Sequence, residues 1–225
     1  MQRTPEPELM DDPQQAEAYA AADFASTDAA FVAEFCHRYC QEHAGLGPGP
    51  LVDLGCGPGN ITLRLAEALP ARAIVGVDGS GPMLAIARAR AAGFGSRVTW
   101  VEALLPAPSL PRGGFAAVLG NSLLHHLENP RLLWATVAEL AAPGAAIWIG
   151  DLRRPASEAE AEALVERYAG DAPPVLRADF LASLHAAYEP DEVRAQLAAA
   201  GLPLVVEAVG DRHLRVHGRL SVGDA

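Results

Sequence analysis

Apolar positions along this chain alternate between two spacings. "LVDL" (51–54), "AIVGVD" (73–78), "VTWV" (98–101), "FAAVLG" (115–120) and "AAIWIGD" (145–151) are short apolar runs with the length of buried strands. Helical stretches separate them. One runs from about Asn60 to Leu69 and stops at Pro70; another is opened by Pro82 and carries Met83, Ile86 and Ala87. A third, from about Pro130 to Ala141, has proline in its first turn and ends at "PG" (143–144). Ser157 with Glu160 forms a capping box for a further helix, and "PDEVRAQLAAAG" (190–201) is a helix closed by Gly201. Near the N-terminus Phe31, Phe35 and Tyr39 recur at four-residue spacing beside Val32, Cys36 and Cys40, which predicts one helix from Ala16 to about His43. "GLGPGP" (45–50) ends it. Residues 170–189 read as polar and broken. The chain closes with "LPLVVEAVG" and "HLRVHGRL", two strands joined by a tight "GDR" turn.

Strand and helix in alternation imply βαβ units, hence an α/β fold with a doubly wound, seven-stranded, mostly parallel sheet. The last two strands are too close together for a helical crossover and should form a C-terminal antiparallel hairpin. The expected organisation is a single domain over 16–225. It divides into a helical cap (16–45), a ligand-holding core (48–155), and substrate-side helices with the hairpin (156–225). Residues 1–15, rich in proline and acid, read as a flexible tail or a lid.

Composition narrows the function. No run of 18 apolar residues occurs, so no membrane span is expected, and the N-terminus lacks the basic and apolar regions of a secretory signal. A net charge of −11 with scattered arginines argues against a nucleic-acid partner. Three cysteines, Cys36, Cys40 and Cys56, make no even disulfide framework, which fits a reducing, cytoplasmic setting.

"LVDLGCGPGN" (51–60) carries the most chemistry. Glycine at 55, 57 and 59 lets the backbone turn tightly after the first strand and approach a ligand. The dinucleotide fingerprint is G-x-G-x-x-G, but here the sixth position is Asn60 and the spacing is G-x-G-x-G. Asp53, two residues before the turn, would repel a pyrophosphate and suits an ammonium group. Asp78, at the end of the second strand, is placed to accept hydrogen bonds from ribose hydroxyls. An amino group, a ribose and no phosphate describe S-adenosylmethionine.

These segments resemble the class I S-adenosylmethionine-dependent methyltransferases. "LVDLGCGPGN" matches the family's D-x-G-x-G-x-G motif in full, and "IVGVDGSGPMLAIAR" (74–88) is similar to its second-strand acidic motif and following helix. "FAAVLGNSLLHHLENPRLLW" (115–134) and "PGAAIWIGDLRRP" (143–155) look like its fourth and fifth strands with their flanks. The resemblance implies a Rossmann-like fold and S-adenosylmethionine as cofactor. It also implies Asp53 supporting the methionyl amino group, directly or through the loop, and Gly55, Cys56, Gly57 and Gly59 packing backbone against the cofactor. Asp78 would bind the ribose, with Gly79 and Met83 beside the adenosine. Asn121 would lie near the methionyl end, and Tyr19 could close over it. Two positions depart from the pattern. Ala116 stands where the family often has Asp, and "VTWVEALLP" lacks the usual Asp after the third strand, leaving Glu102 as the polar candidate by the adenine. Met83 and Tyr19 can equally be packing residues.

In-line methyl transfer asks the protein to align the reactants and exclude water, and needs a base only when the nucleophile must lose a proton. Candidate catalytic residues are His125, His126 and Tyr188. Arg153, Arg154 and Asp179 are candidates for substrate binding, with Ser183 close by. Each has a plainer reading: capping histidines, a solvated basic pair, exposed surface. Turn chemistry alone explains Asp211 beside Arg212 and His213. Cys36, Cys40 and His43 share a helix face that could offer soft metal ligands, but cysteine in an apolar seam is a common small hydrophobe, and no metal is expected. The function expected is methyl transfer to a small-molecule acceptor by a monomer or homodimer. A non-catalytic S-adenosylmethionine-binding module is the alternative, with an NAD-dependent oxidoreductase behind it.

Overall fold

The computed structural model of the chain describes residues 1–6, 9–41 and 45–220. Seven strands form one sheet in the order β3-β2-β1-β4-β5-β7-β6. They are β1 Leu51–Leu54, β2 Ile74–Asp78, β3 Val98–Glu102, β4 Phe115–Asn121, β5 Ala141–Leu152, β6 Val205–Val209 and β7 His213–Arg219. β1 to β5 pair in parallel; β7 runs antiparallel to both β5 and β6. The reversal of strand order between β1 and β4 places a crevice at the carboxyl ends of these two strands, where open α/β sheets bind ligands.

Eight α-helices accompany the sheet among the described residues: α1 Pro13–Ala21, α2 Ala25–Cys36, α3 Asn60–Ala68, α4 Gly81–Arg90, α5 Arg131–Leu140, α6 Glu158–Ala169, α7 Pro174–Ala186 and α8 Pro190–Ala200. Alternate residues of each strand face opposite layers. Leu51, Ile74, Leu119 and Trp148 join Phe31, Phe35 and Leu65 in one core, under α2 and α3. Val52, Val118, Ile147 and Ile149 join Trp134, Val193 and Leu197 in the other, under α5 and α8. Both faces are therefore covered, and the strands read as continuous apolar runs. No helix among the described residues is long and apolar enough to cross a membrane.

The N-terminal helix is broken in two. Ala22 is extended, and the Asp23 side chain accepts from the Ala25 amide, so α2 starts afresh at an angle set by that turn. α2 lies on the sheet through Trp148, whose indole N–H donates to the Phe31 carbonyl at 3.2 Å while Phe31, Phe35 and Tyr39 surround its rings. A π-helical turn, His37–Gln41, ends this cap. Residues 170–189, read as broken, contain α7. Pro174 opens it and Leu184 is fully buried, but much of its remaining surface is only half-buried, which blurs the apolar period. β5 begins earlier than the apolar run, at Ala141, through a bulge in its pairing with β4. In the expected capping box Ser157 accepts from the Glu160 amide, but the Glu160 carboxylate reaches Ala156 instead of the cap residue.

Gly150 ties cap, sheet and crevice together. A Cβ there would lie 2.8 Å from both Asn121 Oδ1 and Phe31 Cε2, so no side chain fits without displacing α2 or the end of β4. We expect Gly150→Ala to destabilise the fold by about 1–3 kcal/mol in urea titration; a change within about 0.5 kcal/mol would show that the cap tolerates the shift.

Candidate functional site

The turn after β1 holds three glycines in the left-handed region, with φ of +66° at Gly55, +50° at Gly57 and +86° at Gly59. Their roles differ. A Cβ at Gly55 or Gly59 would strike Leu123 or Trp100, at 2.8 and 2.7 Å, whereas one at Gly57 would meet nothing within 4 Å. Gly57 therefore fronts open space, the lip of a cavity of about 200 Å³ walled by the ends of β1, β2 and β4. Its amide donates to Asp78 Oδ2 and that of Ser80 to Asp78 Oδ1, each at 2.8 Å. Asp78 thus holds the turn in place while keeping further lone pairs free.

Three carboxylates reach this cavity. Asp53 is almost completely buried, and Thr62 Oγ1, in the first turn of α3, donates to it at 2.6 Å. Burial pushes its carboxyl up to about 7; Thr62 opposes, and the charges of Asp78 and Asp28 add to the rise. Asp28, in α2, is also buried and is raised to about 6 by burial, against the pull of Arg64 and a hydrogen bond from Asn60. Burial raises Asp78 too, despite the amides of Ser80, Gly57 and Gly79. Sequence reasoning missed Asp28. Its place in the first turn of a helix looks like ordinary dipole compensation, and only the break at Asp23 swings it towards the cavity.

The rest of the wall is apolar. Val77, Met83, Ala103, Leu104 and Leu105 line one side, and Tyr19, Ile61 and Asn121 lie on others. Burial, with the Asp28 charge behind it, raises the Tyr19 phenol, which stays neutral. Ser122, next to Asn121 at the end of β4, is the one non-glycine with positive φ (+56°) among the described residues, and its amide donates to the Gly150 carbonyl. The N-terminal segment supplies the cover. Leu9 and Met10 line the cavity, and the Ser80 hydroxyl donates to the Met10 carbonyl at 2.8 Å. Upstream, Arg3 lies 4.0 Å over the Tyr188 ring and donates to the carbonyls of Ala186, His125 and Leu127. Of the segment read as a tail or a lid, residues 1–6 and 9–15 are described, and Leu9 and Met10 lie on the cavity wall.

His125 and His126 part company. His126 lines the cavity. His125 is buried beneath it, its Nδ1 2.5 Å from Asp151 Oδ1 and its Nε2 3.4 Å from Glu6 Oε1. Burial lowers the His125 imidazole, but Asp151 and Glu6 outweigh that and raise it. Burial also works against the Asp151 carboxylate, which His125, His126 and the Leu152 amide together hold below its usual range.

Of the residues expected at the cofactor, Tyr19, Asp53, Gly55, Cys56, Gly57, Asp78, Gly79, Met83 and Asn121 border the cavity. Gly59 is set back against Trp100, and Glu102, exposed at the end of β3, stands by Gly81 and not on the wall. The residues expected on the substrate side lie elsewhere. Tyr188 donates to the Leu127 carbonyl beneath Arg3. Arg154 is buried on the Ala187 carbonyl, Glu189 and Glu192, and Arg153 bonds the Asp211 carbonyl. Both arginines follow the end of β5 at Leu152 and are engaged by the start of α8 and by the turn between β6 and β7, off the cavity wall. Asp179 accepts from Gln15 on α1, Ser183 donates to Glu6, and Asp211 pairs with Arg167 and Tyr168. Cys36 and Cys40 are free thiols in mutual contact, their hydrogen bond raising Cys36 and bringing Cys40 down to about 7. His43 lies outside the described residues.

Comparison with known proteins bears on this geometry. Residues 51–144 match the family model described as a methyltransferase domain. The chain is 35% identical over 99 residues to an uncharacterized methyltransferase of Mycobacterium bovis, covering 44% of this chain and 48% of that one. It is 36% identical over 129 residues to a trans-aconitate 2-methyltransferase of Methylobacterium nodulans, covering 56% and 46%. The matches thus span about half the length of these relatives. A crystal structure of a SAM dependent methyltransferase from Aquifex aeolicus superposes with a TM-score of 0.68 at 17% identity, covering 93% of this chain and 98% of that one, which shows the shared fold.

The raised carboxyls have a consequence for stability. Asp28 and Asp53 hold their protons to higher pH in the folded chain than at the ordinary 3.8. Their contribution is full below about pH 4 and is lost as the pH rises through 6 and 7. Asp28→Asn should therefore stabilise the unliganded chain by about 1–2 kcal/mol more at pH 8 than at pH 5. Thermal unfolding at the two pH values reads the difference; an equal effect at both would mean that Asp28 keeps an ordinary carboxyl.

Proposed function

We propose that the chain is a class I S-adenosylmethionine-dependent methyltransferase, a reading supported by the match of residues 51–144 to the methyltransferase-domain model, and that it transfers a methyl group from S-adenosylmethionine to a small-molecule acceptor. The observation that carries this reading is the set of three carboxylates, Asp28, Asp53 and Asp78, around a glycine-lipped cavity. An anionic pyrophosphate would meet all three. A ligand with an ammonium, a sulfonium and a neutral ribose suits them, since a nearby cation favours the ionised carboxylates that burial disfavours.

Each residue then has a task. Asp53 and Asp28 face the positive end of the ligand, Asp53 held by Thr62 from the first turn of α3. Asp78 keeps lone pairs for two ribose hydroxyls after bonding the Gly57 and Ser80 amides. Met83, Leu104 and Leu105 offer an apolar slot for the adenine, which Leu9 covers. Bound there, S-adenosylmethionine supplies a methyl carbon made electrophilic by its positively charged sulfur. His126, on the cavity wall, is the imidazole that meets the acceptor; His125 orients it from below. The N-terminal segment closes the cavity and keeps water from the transfer. Residues 16–225 act as one domain with that segment as its lid.

A small acceptor is supported by the cavity of about 200 Å³, by the net charge of −11, and by the similarity to a trans-aconitate 2-methyltransferase. A cytoplasmic location belongs to the same reading and is supported by three free cysteines.

Calorimetry with S-adenosylhomocysteine and with NAD tests the ligand. We expect binding of the first only, weakened about tenfold or more by Asp78→Ala; binding of NAD alone would overturn the proposal. With small hydroxyl compounds as acceptors, whose oxygen must lose a proton, His126→Ala should cut turnover by about 10²-fold while leaving S-adenosylhomocysteine affinity intact. Equal turnover in the variant would remove His126 from the acceptor side.

A further inference from the structure

Glu6, His125 and His126 hold one potential metal-ligand atom each within 4.8 Å of one another, a group of three beside the cavity. Glu6 Oε1 is buried without a hydrogen-bond partner and stands 3.4 Å from both His125 Nε2 and His126 Nδ1. That distance is long for an N–H···O bond, which would draw the atoms to about 2.7–3.2 Å. It matches the edge of a coordination tetrahedron: donors bound to Zn²⁺ at about 2.0–2.1 Å lie about 3.3 Å from each other.

The surroundings are those of a supported ligand set. His125 Nδ1 faces Asp151 Oδ1 at 2.5 Å, which leaves Nε2 to bind. Asp151 is itself fixed by the amides of Leu124 and Leu152, both at 2.6 Å. A carboxylate behind a metal-binding imidazole sets its tautomer and raises its basicity. Glu6 is delivered just as firmly. Arg3 is stacked on Tyr188 and bonded to three carbonyls, and the Thr4 amide donates to the His185 carbonyl at 3.0 Å. These contacts bring the carboxylate over the two histidines across more than a hundred residues of sequence.

We propose that Glu6 Oε1, His125 Nε2 and His126 Nδ1 bind a divalent transition-metal ion of the Zn²⁺ type, with a coordination position open to the cavity that His126 lines. Two imidazoles and one carboxylate form a borderline donor set suited to Zn²⁺, Co²⁺ or Fe²⁺ and poorly suited to Mg²⁺. The ion locks the N-terminal lid to the segment after β4. Its open position takes an anionic oxygen of the acceptor; that use rests on the methyl-transfer reading, whereas ion binding does not.

The test is Zn²⁺ binding to the chelator-treated full chain, by calorimetry, with Co²⁺ absorption reporting the coordination geometry. We expect one ion per chain and a Co²⁺ spectrum of tetrahedral intensity. Glu6→Gln and His126→Ala should each weaken binding about tenfold or more, while the Cys36→Ser, Cys40→Ser double variant keeps it. The two single variants come from different segments, so a folding defect in one leaves the other informative. No binding by the wild-type chain would overturn the site. Binding that survives both single substitutions, or is lost with the cysteines, would equally overturn it. Since S-adenosylhomocysteine affinity is measured separately, failure here is distinguishable from failure of the methyl-transfer reading.

Discussion

Asp28, Asp53 and Asp78 reach one cavity from three elements, and each gives up much of its hydration to do so. Burial disfavours their charged form, so the unliganded site answers by holding protons: Asp53 rises to about 7, with the charges of Asp78 and Asp28 adding to the rise, and Asp28 to about 6. The strain is confined to the end of the sheet where β1 and β4 diverge. Glycines at 55, 57 and 59 let the backbone bend around it, and the Gly57 and Ser80 amides use one carboxylate to hold that bend. A cation beside them would favour the ionised form that burial disfavours.

The same constraint explains the cap. A site that gains from excluding water needs a cover, and two parts of the N-terminal region provide it. α2 is pinned to the sheet by Trp148 and brings Asp28 to the cavity. Residues 1–6 are fastened along the opposite flank by Arg3 and bring Glu6 to the two histidines. Two stretches of the N-terminal region thus reach the cavity and the histidines beside it, and Leu9 and Met10, between them in sequence, line the cavity.

Much of this was legible in the sequence because it is written in local signals. Strand runs, the glycine spacing and the helix stops fixed the order of elements, and the glycine turn with Asp53 and Asp78 pointed to its ligand class. The strands came within a few residues, β5 excepted, since its start depends on a bulge against β4 that no periodicity reveals. Where the reading failed, the cause was tertiary. The N-terminal helix breaks at an extended Ala22, where the Asp23 side chain accepts from the Ala25 amide, and Asp28 in the second half lines the cavity. Arg153 and Arg154 look like ligands for an anion; in the fold they bond the Asp211 carbonyl, Glu189 and Glu192, partners that local sequence does not reveal. Glu6 gave no signal, since nothing near it in sequence resembles a site.

The central claim is that the cavity takes up a cation by ionising acids that burial keeps protonated. Calorimetry of S-adenosylmethionine binding at pH 6.5, in two buffers of different ionisation enthalpy, measures the protons exchanged. With Asp53 near 7 and Asp28 near 6, release of about one proton per ligand bound is expected. Binding without any proton exchange would contradict the account.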